Sequence, residues 1–146
     1  MIHVDHASVG QPGTFTVGDI ANARRRAAEF FGRNRRVRLQ ESFDFPPLWD
    51  DTGVRVALDR VFGAKCALCE TPANEAEGGC RADQFRPRSG AVGQDGTVDP
   101  DHYWWLAYEW RNLYLVCATC SRNKGNRFPV RGPRAKPESS WPEVDR

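Results

Sequence analysis

The 146-residue chain lacks any long hydrophobic run. Residues 1–6 contain no basic stretch followed by an apolar one, and no segment approaches the roughly 20 apolar residues of a transmembrane helix. We therefore expect no export signal, no membrane association and a cytoplasmic protein whose thiols stay reduced. The sequence also has no internal repeat, and its length suits one domain with extensions.

Acidic residues are scarce in two segments, although the formal charge of the whole chain is only +2. Residues 24–38 contain seven arginines and a single acid, Glu29, and residues 122–136 contain six basic residues and no acid. Guanidinium groups bind phosphate bidentately, so two such segments favour a nucleic-acid partner. The alternative is a pair of solvated faces that keep the protein soluble.

The five cysteines include two Cys-x-x-Cys pairs. Cys66 and Cys69 form the first pair, Cys117 and Cys120 form the second, and 47 residues separate the two pairs. Two thiolates three positions apart can turn toward one point, and two such pairs complete the tetrahedral sulfur shell of a structural Zn²⁺. Disulfides or chance are the alternative. Four ligands saturate zinc, so we expect Cys80 to be a spare or buried thiol.

Caps and apolar spacing divide the chain into three parts. Residues 1–50 form an N-terminal extension whose basic helix runs from Asp19 to about residue 33. Residues 51–129 form the core, and residues 130–146 form a proline-rich, extended tail.

Within the core, Asp51 or Thr52 is expected to cap a helix of about ten residues that Gly63 ends. Residues 71–81 and 90–100 read as loops, residues 113–116 as a buried strand, and residues 121–124 as a short helix. Residues 43–49 are apolar and broken by proline, which favours packing over the domain, with docking of another protein as the alternative. The aromatic residues of 102–110 are expected in the core, with base stacking as the alternative.

Residues 64–129 resemble the HNH endonucleases, and in particular the PtuB-like group of bacterial antiphage-defence effectors. Four stretches carry this resemblance in order: 66–70 (CALCE), 83–88 (DQFRPR), 103–113 (YWWLAYEWRNL) and 117–129 (CATCSRNKGNRFP). The resemblance implies an α+β fold with a ββα-metal core. This core would be stapled by the four-cysteine zinc site and flanked by N-terminal helices and an extended C-terminal tail.

The resemblance also implies hydrolysis of DNA phosphodiester bonds with one divalent metal, Mg²⁺ or Mn²⁺. Asp83 matches the family's acidic metal ligand, and Asn112 matches the asparagine that orients the general base. Lys124 and four arginines are expected to hold the scissile phosphate or its neighbours: Arg86, Arg88, Arg122 and Arg127.

Two positions depart from the family pattern. The family has its general-base histidine where this chain has Gln84, which cannot accept a proton near pH 7, although its carbonyl can orient a water. The family's second metal ligand, His or Asn, is replaced by Ser121, whose hydroxyl can bind Mg²⁺; an oxygen from Asn123 or Asn126 is the alternative. His102 could stand in as the base, but packing is the alternative for a lone histidine beside aromatic residues.

The leading hypothesis is therefore a DNA-cleaving HNH effector of antiphage defence, impaired at Gln84 or using a substitute base. RNA is the alternative substrate, and a separate ATPase subunit is the partner that the resemblance implies. The competing hypothesis is a catalytically silent zinc module that binds nucleic acid or protein. Retention of Asp83, Asn112 and Lys124 argues against that module, because binding alone has no evident use for all three. A purely structural zinc subunit would leave the basic segments unexplained.

Overall fold

The computed structural model describes residues 4–13, 15 and 17–137, so the end of the predicted tail lies outside the described residues. The fold is a small α+β arrangement. Its helices are α1 (Val17–Phe31), α2 (Arg35–Arg38), α3 (Thr52–Val61) and α4 (Ala118–Lys124), and its strands are β1 (Cys80–Gln84), β2 (Ala91–Val92), β3 (Val98–Asp99) and β4 (Leu113–Cys117). Short 3₁₀ turns cover His6–Ser8, Leu48–Asp50, Trp104–Leu106 and Trp110–Asn112. None of the described helices has the length and apolar character that crossing a membrane requires.

Strands β1 and β4 pair antiparallel at the centre of the fold, with Cys80 opposite Cys117 and Gln84 opposite Leu113. Every residue of β4 except Tyr114 is buried, which agrees with the predicted strand. Helix α4 follows β4 without a loop and ends at Gly125, whose positive φ of 48° suits glycine. It begins three residues before the predicted start.

Helix α3 covers one face of this strand pair. The Asp51 side chain caps it by accepting from the backbone N–H groups of Gly53 and Val54, as its position in the sequence predicts. Val54 and Leu58, four residues apart, are both fully buried, so one apolar stripe of α3 seals the core.

The N-terminal extension packs on the core through aromatic side chains. The ring of Phe31, at the end of α1, stacks on Trp104 at 4.8 Å, and Trp49 lies 5.6 Å from Tyr108. Phe45 and Trp49 are both buried, so packing is the confirmed interpretation of residues 43–49. Helix α1 begins two residues before the predicted Asp19 cap.

Two local predictions need correction. The predicted loop over 71–81 gives way to β1 at Cys80, and the predicted loop over 90–100 contains the β2–β3 hairpin. The aromatic segment forms two separate 3₁₀ turns, because the backbone at Glu109 between them is extended (φ −86°, ψ 122°). The described part of the tail has no regular secondary structure. The Arg134 guanidinium holds it against the core by donating to the Phe128 carbonyl.

Candidate metal centre and active site

The four cysteines of the two Cys-x-x-Cys pairs lie together, with all four Sγ atoms within 4.8 Å of one another. The Sγ atoms of Cys69 and Cys117 are 3.8 Å apart. Ligands of a tetrahedral zinc site with Zn–S bonds of about 2.3 Å are separated by about 3.8 Å, so this donor set fits zinc. The prediction that these four residues can hold a metal is confirmed.

Local hydrogen bonds shape the first half of this centre. The backbone turns at Glu70, whose φ is 62° and whose N–H donates to the Cys66 carbonyl over 2.9 Å. The Cys66 N–H donates to the carbonyl of Thr71, also at 2.9 Å. Hydrogen bonds with the side chain and backbone of Thr71 lower the pKa of the Cys69 thiol to about 6, which favours the thiolate that zinc requires.

Cys80 is the one cysteine outside this cluster. It is buried at the start of β1, opposite Cys117, and burial raises the pKa of its thiol to about 11. This agrees with the prediction of a buried spare thiol.

Asp83 and Ser121 meet beside the metal centre. The Ser121 hydroxyl, on α4, donates to Asp83 Oδ2 over 2.9 Å, and the other carboxylate oxygen accepts from the Gln84 N–H at 2.8 Å. The Arg81 guanidinium lies at 3.1 Å from the same hydroxyl. The structure thus brings together the two side chains that the sequence predicts as metal ligands.

A polar cleft of about 390 Å³ opens at this point. Its lining comprises Trp49, Asp50, Arg81, Ala82, Asp83, Gln84, Arg88, Ser121, Gly125 and Asn126. Four of the predicted site residues therefore share the cleft with Asn126: Asp83, Gln84, Arg88 and Ser121.

Gln84 is buried in the floor of this cleft, with 1% of its surface exposed. Its Nε2 donates to the Ala107 carbonyl over 3.4 Å, and its Oε1 accepts from the Arg88 guanidinium. Both polar ends of the side chain are thus engaged, and Oε1 keeps one lone pair for a further donor.

Arg88 is held over the Trp49 ring, with its guanidinium carbon 4.4 Å from the ring centroid. Burial lowers the pKa of Arg88, while the charges of Asp83 and Asp50 act in the opposite direction. An arginine keeps its charge under such a shift, so Arg88 supplies a fixed positive charge at the cleft.

Asn112 is fully buried and clamps the chain that follows β1. Its Oδ1 accepts from the Arg86 N–H at 2.8 Å, and its Nδ2 donates to the carbonyls of Arg86 and Leu106, each at 3.0 Å. The amide therefore holds the backbone after Gln84 and does not hydrogen-bond to the Gln84 side chain.

The predicted phosphate ligands separate into two groups. Arg86 is buried between the rings of Phe85 and Phe128, each 5.6 Å from its guanidinium carbon, and does not line the cleft. Arg122 and Arg127 are exposed on and just after α4. Only Arg88 of the four predicted arginines lines the cleft.

Three further predicted residues lie at or beyond the edge of the cleft. Lys124 donates to the Gly125 carbonyl over 3.2 Å; burial lowers its pKa, whereas the nearby charge of Asp83 raises it. Asn123 is exposed and does not line the cleft, whereas Asn126 does. Asn126 is therefore better placed than Asn123 to supply an oxygen.

His102 does not line the cleft. Its Nδ1 lies 2.6 Å from Asp99 Oδ2, and its ring packs edge-on against Tyr103 and Trp105. His102 therefore has a packing role, and any general base at the cleft has to be another residue.

Ion pairs neutralise much of the arginine-rich segment 24–38. Arg33 pairs with Glu41, and Arg35 and Arg38 share Asp101, while Arg38 is buried. The remaining pairs are Arg24 with Glu109 and Arg25 with Glu29. The sequence does not show which distant residues form ion pairs. Because these pairs reduce the free positive charge of residues 24–38, we expect any nucleic-acid interface to depend more on residues 122–136.

Sequence reasoning missed Arg81, Trp49 and Asp50 as members of the site. Arg81 stands two residues before Asp83 on β1, so strand alternation places both on one face and could have identified it. Nothing local connects residues 49 and 50 to the cleft, because they reach it through packing of the extension.

The oxygen atoms at the cleft partly fit a divalent cation. Adjacent ligands of an octahedral Mg²⁺ site are separated by about 3 Å, and Ser121 Oγ and Asp83 Oδ2 are 2.9 Å apart. Mg²⁺ retains several waters, so two protein oxygens are sufficient when a phosphate supplies more.

Comparison with known proteins identifies two relatives, both from Bacillus mycoides (strain KBAB4). The chain is 41% identical to Septu protein PtuA over 76 residues and 33% identical to Septu protein PtuB over 103 residues. These matches include 51% and 66% of this chain, so they overlap, but only 10% and 34% of the respective relatives. The chain thus spans about a tenth and a third of the curated relatives. No family model and no solved structure matches it.

Proposed function

We propose that this protein is a cytoplasmic, metal-dependent HNH-type endonuclease that cleaves DNA as an effector of bacterial antiphage defence. The observation that carries the proposal is the Asp83–Ser121 pair, held at 2.9 Å in a polar cleft beside the four-cysteine centre. An antiparallel strand pair that leads directly into a helix brings the two residues together. This arrangement supports the ββα-metal core that the sequence resemblance implies.

In this proposal Asp83 and Ser121 would hold Mg²⁺ or Mn²⁺, and Asn126, which lines the same cleft, could supply a further oxygen. When bound, the cation neutralises the scissile phosphate and lowers the pKa of the attacking water. Arg88, fixed on Trp49, and Lys124 add positive charge where negative charge accumulates on the phosphate. Arg122 and Arg127 hold neighbouring phosphates of the strand, while Arg86 supports the loop from within the aromatic cluster.

Gln84 impairs the site in this proposal because it cannot take a proton from water. Loss of a general base costs about 10²–10⁴ in rate. A histidine at this position could donate one ring N–H to the Ala107 carbonyl, as Gln84 Nε2 does now, and present its other nitrogen to the cleft.

The similarity to both PtuA and PtuB supports a role in a Septu system and a protein partner such as an ATPase subunit. RNA is the alternative substrate. A catalytically silent zinc module is the second candidate function, and the hydrogen bonds that occupy both ends of Gln84 favour it.

The test is nicking of supercoiled plasmid with Mg²⁺ or Mn²⁺ by the wild-type chain and by Gln84→His, with Gln84→His/Asp83→Asn as the inactive reference. Cleavage by Gln84→His that disappears in the double variant supports the nuclease. Binding of the plasmid by every variant with no cleavage by any supports the silent module.

A further inference from the structure

The turn Leu48–Asp50 completes the cleft from outside the proposed nuclease core. Asp50 lines the cleft together with Asp83 and Gln84. Trp49 anchors this turn, because it is buried against Tyr108 and beneath the Arg88 guanidinium. Burial lowers the pKa of Arg88, and the charges of Asp83 and Asp50 both act against this shift.

The described residues offer few proton acceptors at this site. Asp83 has both oxygens engaged, by Ser121 and by the Gln84 N–H. Neither histidine in the described part of the chain lines the cleft, since His102 is paired with Asp99 and His6 is buried against Leu113. Lys124 does not line the cleft, and its ammonium donates to the Gly125 carbonyl; burial lowers its pKa, although the charge of Asp83 acts in the opposite direction.

Asp50 differs from these groups. Its side chain is exposed and makes no hydrogen bond or ion pair with any residue in the described part of the chain. Asp50 is thus a carboxylate with no hydrogen-bonding partner in the described part of the chain. It stands on an anchored turn and lines the same cleft as Gln84, the position where the resembled family has its general-base histidine.

We propose that Asp50 is the catalytic proton acceptor of this site, in the role that Gln84 cannot fill; this rests on the proposed nuclease function. Asp50 takes a proton from the attacking water as the water oxygen forms its bond to phosphorus. The bond from phosphorus to the leaving sugar oxygen breaks with its electron pair, and that oxygen takes a proton from solvent. Asp50 then returns its proton to solvent.

The experiment measures plasmid nicking with Mg²⁺ from acid to alkaline pH for five chains of residues 1–146: wild type, Asp50→Asn, Asp50→Glu, Gln84→His and Asp50→Asn/Gln84→His. Asp44→Asn is the matched control, an exposed aspartate of the same extension outside the cleft. We expect Asp50→Asn to slow nicking about 10²–10⁴-fold, Asp50→Glu to lose much less, and Asp44→Asn to match wild type.

The double variant separates proton transfer from a structural role. We expect it to recover nicking, with the acidic limb of its pH profile displaced to higher pH, because imidazole replaces carboxylate as the base. Wild-type rates from Asp50→Asn would overturn the proposal. Nicking by Gln84→His beside a silent wild type would overturn the role of Asp50 and leave the nuclease standing. Silence from all chains would overturn both.

Discussion

Asp83 and Ser121 are 38 residues apart in the sequence, yet the Ser121 hydroxyl donates to the Asp83 carboxylate over 2.9 Å. The contact exists because β1 pairs with β4 and α4 continues β4 directly, one turn beyond Cys117. Two cysteines of the metal cluster lie at this junction, Cys117 at the end of β4 and Cys120 on α4. We therefore expect loss of the cluster to disturb the Asp83–Ser121 pair.

Removing the charge of Asp83 should abolish metal-dependent chemistry without unfolding the protein. In the Gln84→His background we expect Asp83→Asn to reduce nicking at least about 10²-fold, because a carboxylate ligand and its electrostatic contribution are lost. Weak Mn²⁺ binding, followed by electron paramagnetic resonance, should decline in parallel. Glu77→Gln, an exposed carboxylate outside the cleft, is the control. Unchanged Mn²⁺ binding by Asp83→Asn would contradict the assignment.

The cysteines should divide cleanly by role. We expect one zinc per chain by mass spectrometry, and loss of both zinc and the cooperative unfolding transition in Cys117→Ser, because structural zinc contributes about 10–16 kcal/mol to small domains. Cys80→Ala should keep its zinc and lose only about 1 kcal/mol of stability. Zinc loss from Cys80→Ala would contradict the four-cysteine assignment.

Features that depend on local sequence could be predicted, whereas features that depend on packing between distant segments could not. The Cys-x-x-Cys spacing predicted the metal cluster because each pair is a local motif and zinc needs four ligands, and the Asp51 cap predicted α3 because it bonds residues two and three positions away. The burial of His6 against Leu113, 107 residues away, leaves no trace in the neighbouring sequence. The ion pairs that neutralise residues 24–38, and the arrival of Asp50 at the cleft, likewise depend on contacts between distant segments.

Asn112 should act on stability more than on chemistry. We expect Asn112→Ala to lower the unfolding free energy by about 2–4 kcal/mol, because it leaves buried backbone groups of Arg86 and Leu106 without partners. Urea denaturation measures this loss, and exposed Asn22→Ala on α1 is the matched control. Full stability combined with lost nicking in the Gln84→His background would instead indicate that Asn112 orients the base directly.

Binding to DNA should weaken with salt, because we expect Arg122 on α4 and Arg127 just after it to contact phosphates. The logarithm of the association constant should fall linearly with that of salt concentration, with a slope of about −0.9 per neutralised phosphate. We expect Arg122→Ala and Arg127→Ala each to flatten this slope by about one phosphate contact. Arg25→Ala should change it little, since Arg25 is already paired with Glu29. Fluorescence anisotropy of a labelled duplex provides the measurement, and affinity unaffected by salt would refute the phosphate contacts.

His6 should make the fold sensitive to acid. Its Nε2 lies 2.8 Å from the Leu113 carbonyl within a cluster of aromatic rings, and burial lowers its pKa below the usual 6.5. Because the folded state favours the neutral ring, its contribution to stability is complete above pH 6.5 and is lost as pH falls through the folded pKa.

His6→Phe has no such titration but leaves the Leu113 carbonyl without its donor, at a cost of about 1–3 kcal/mol. In urea unfolding series between pH 8 and pH 5, with zinc saturated, the stability advantage of the wild type over His6→Phe should therefore shrink as pH falls. Acid effects on the thiolates are common to both chains and cancel in the difference. An advantage that stays constant with pH would show that His6 remains equally protonated in the folded and unfolded states.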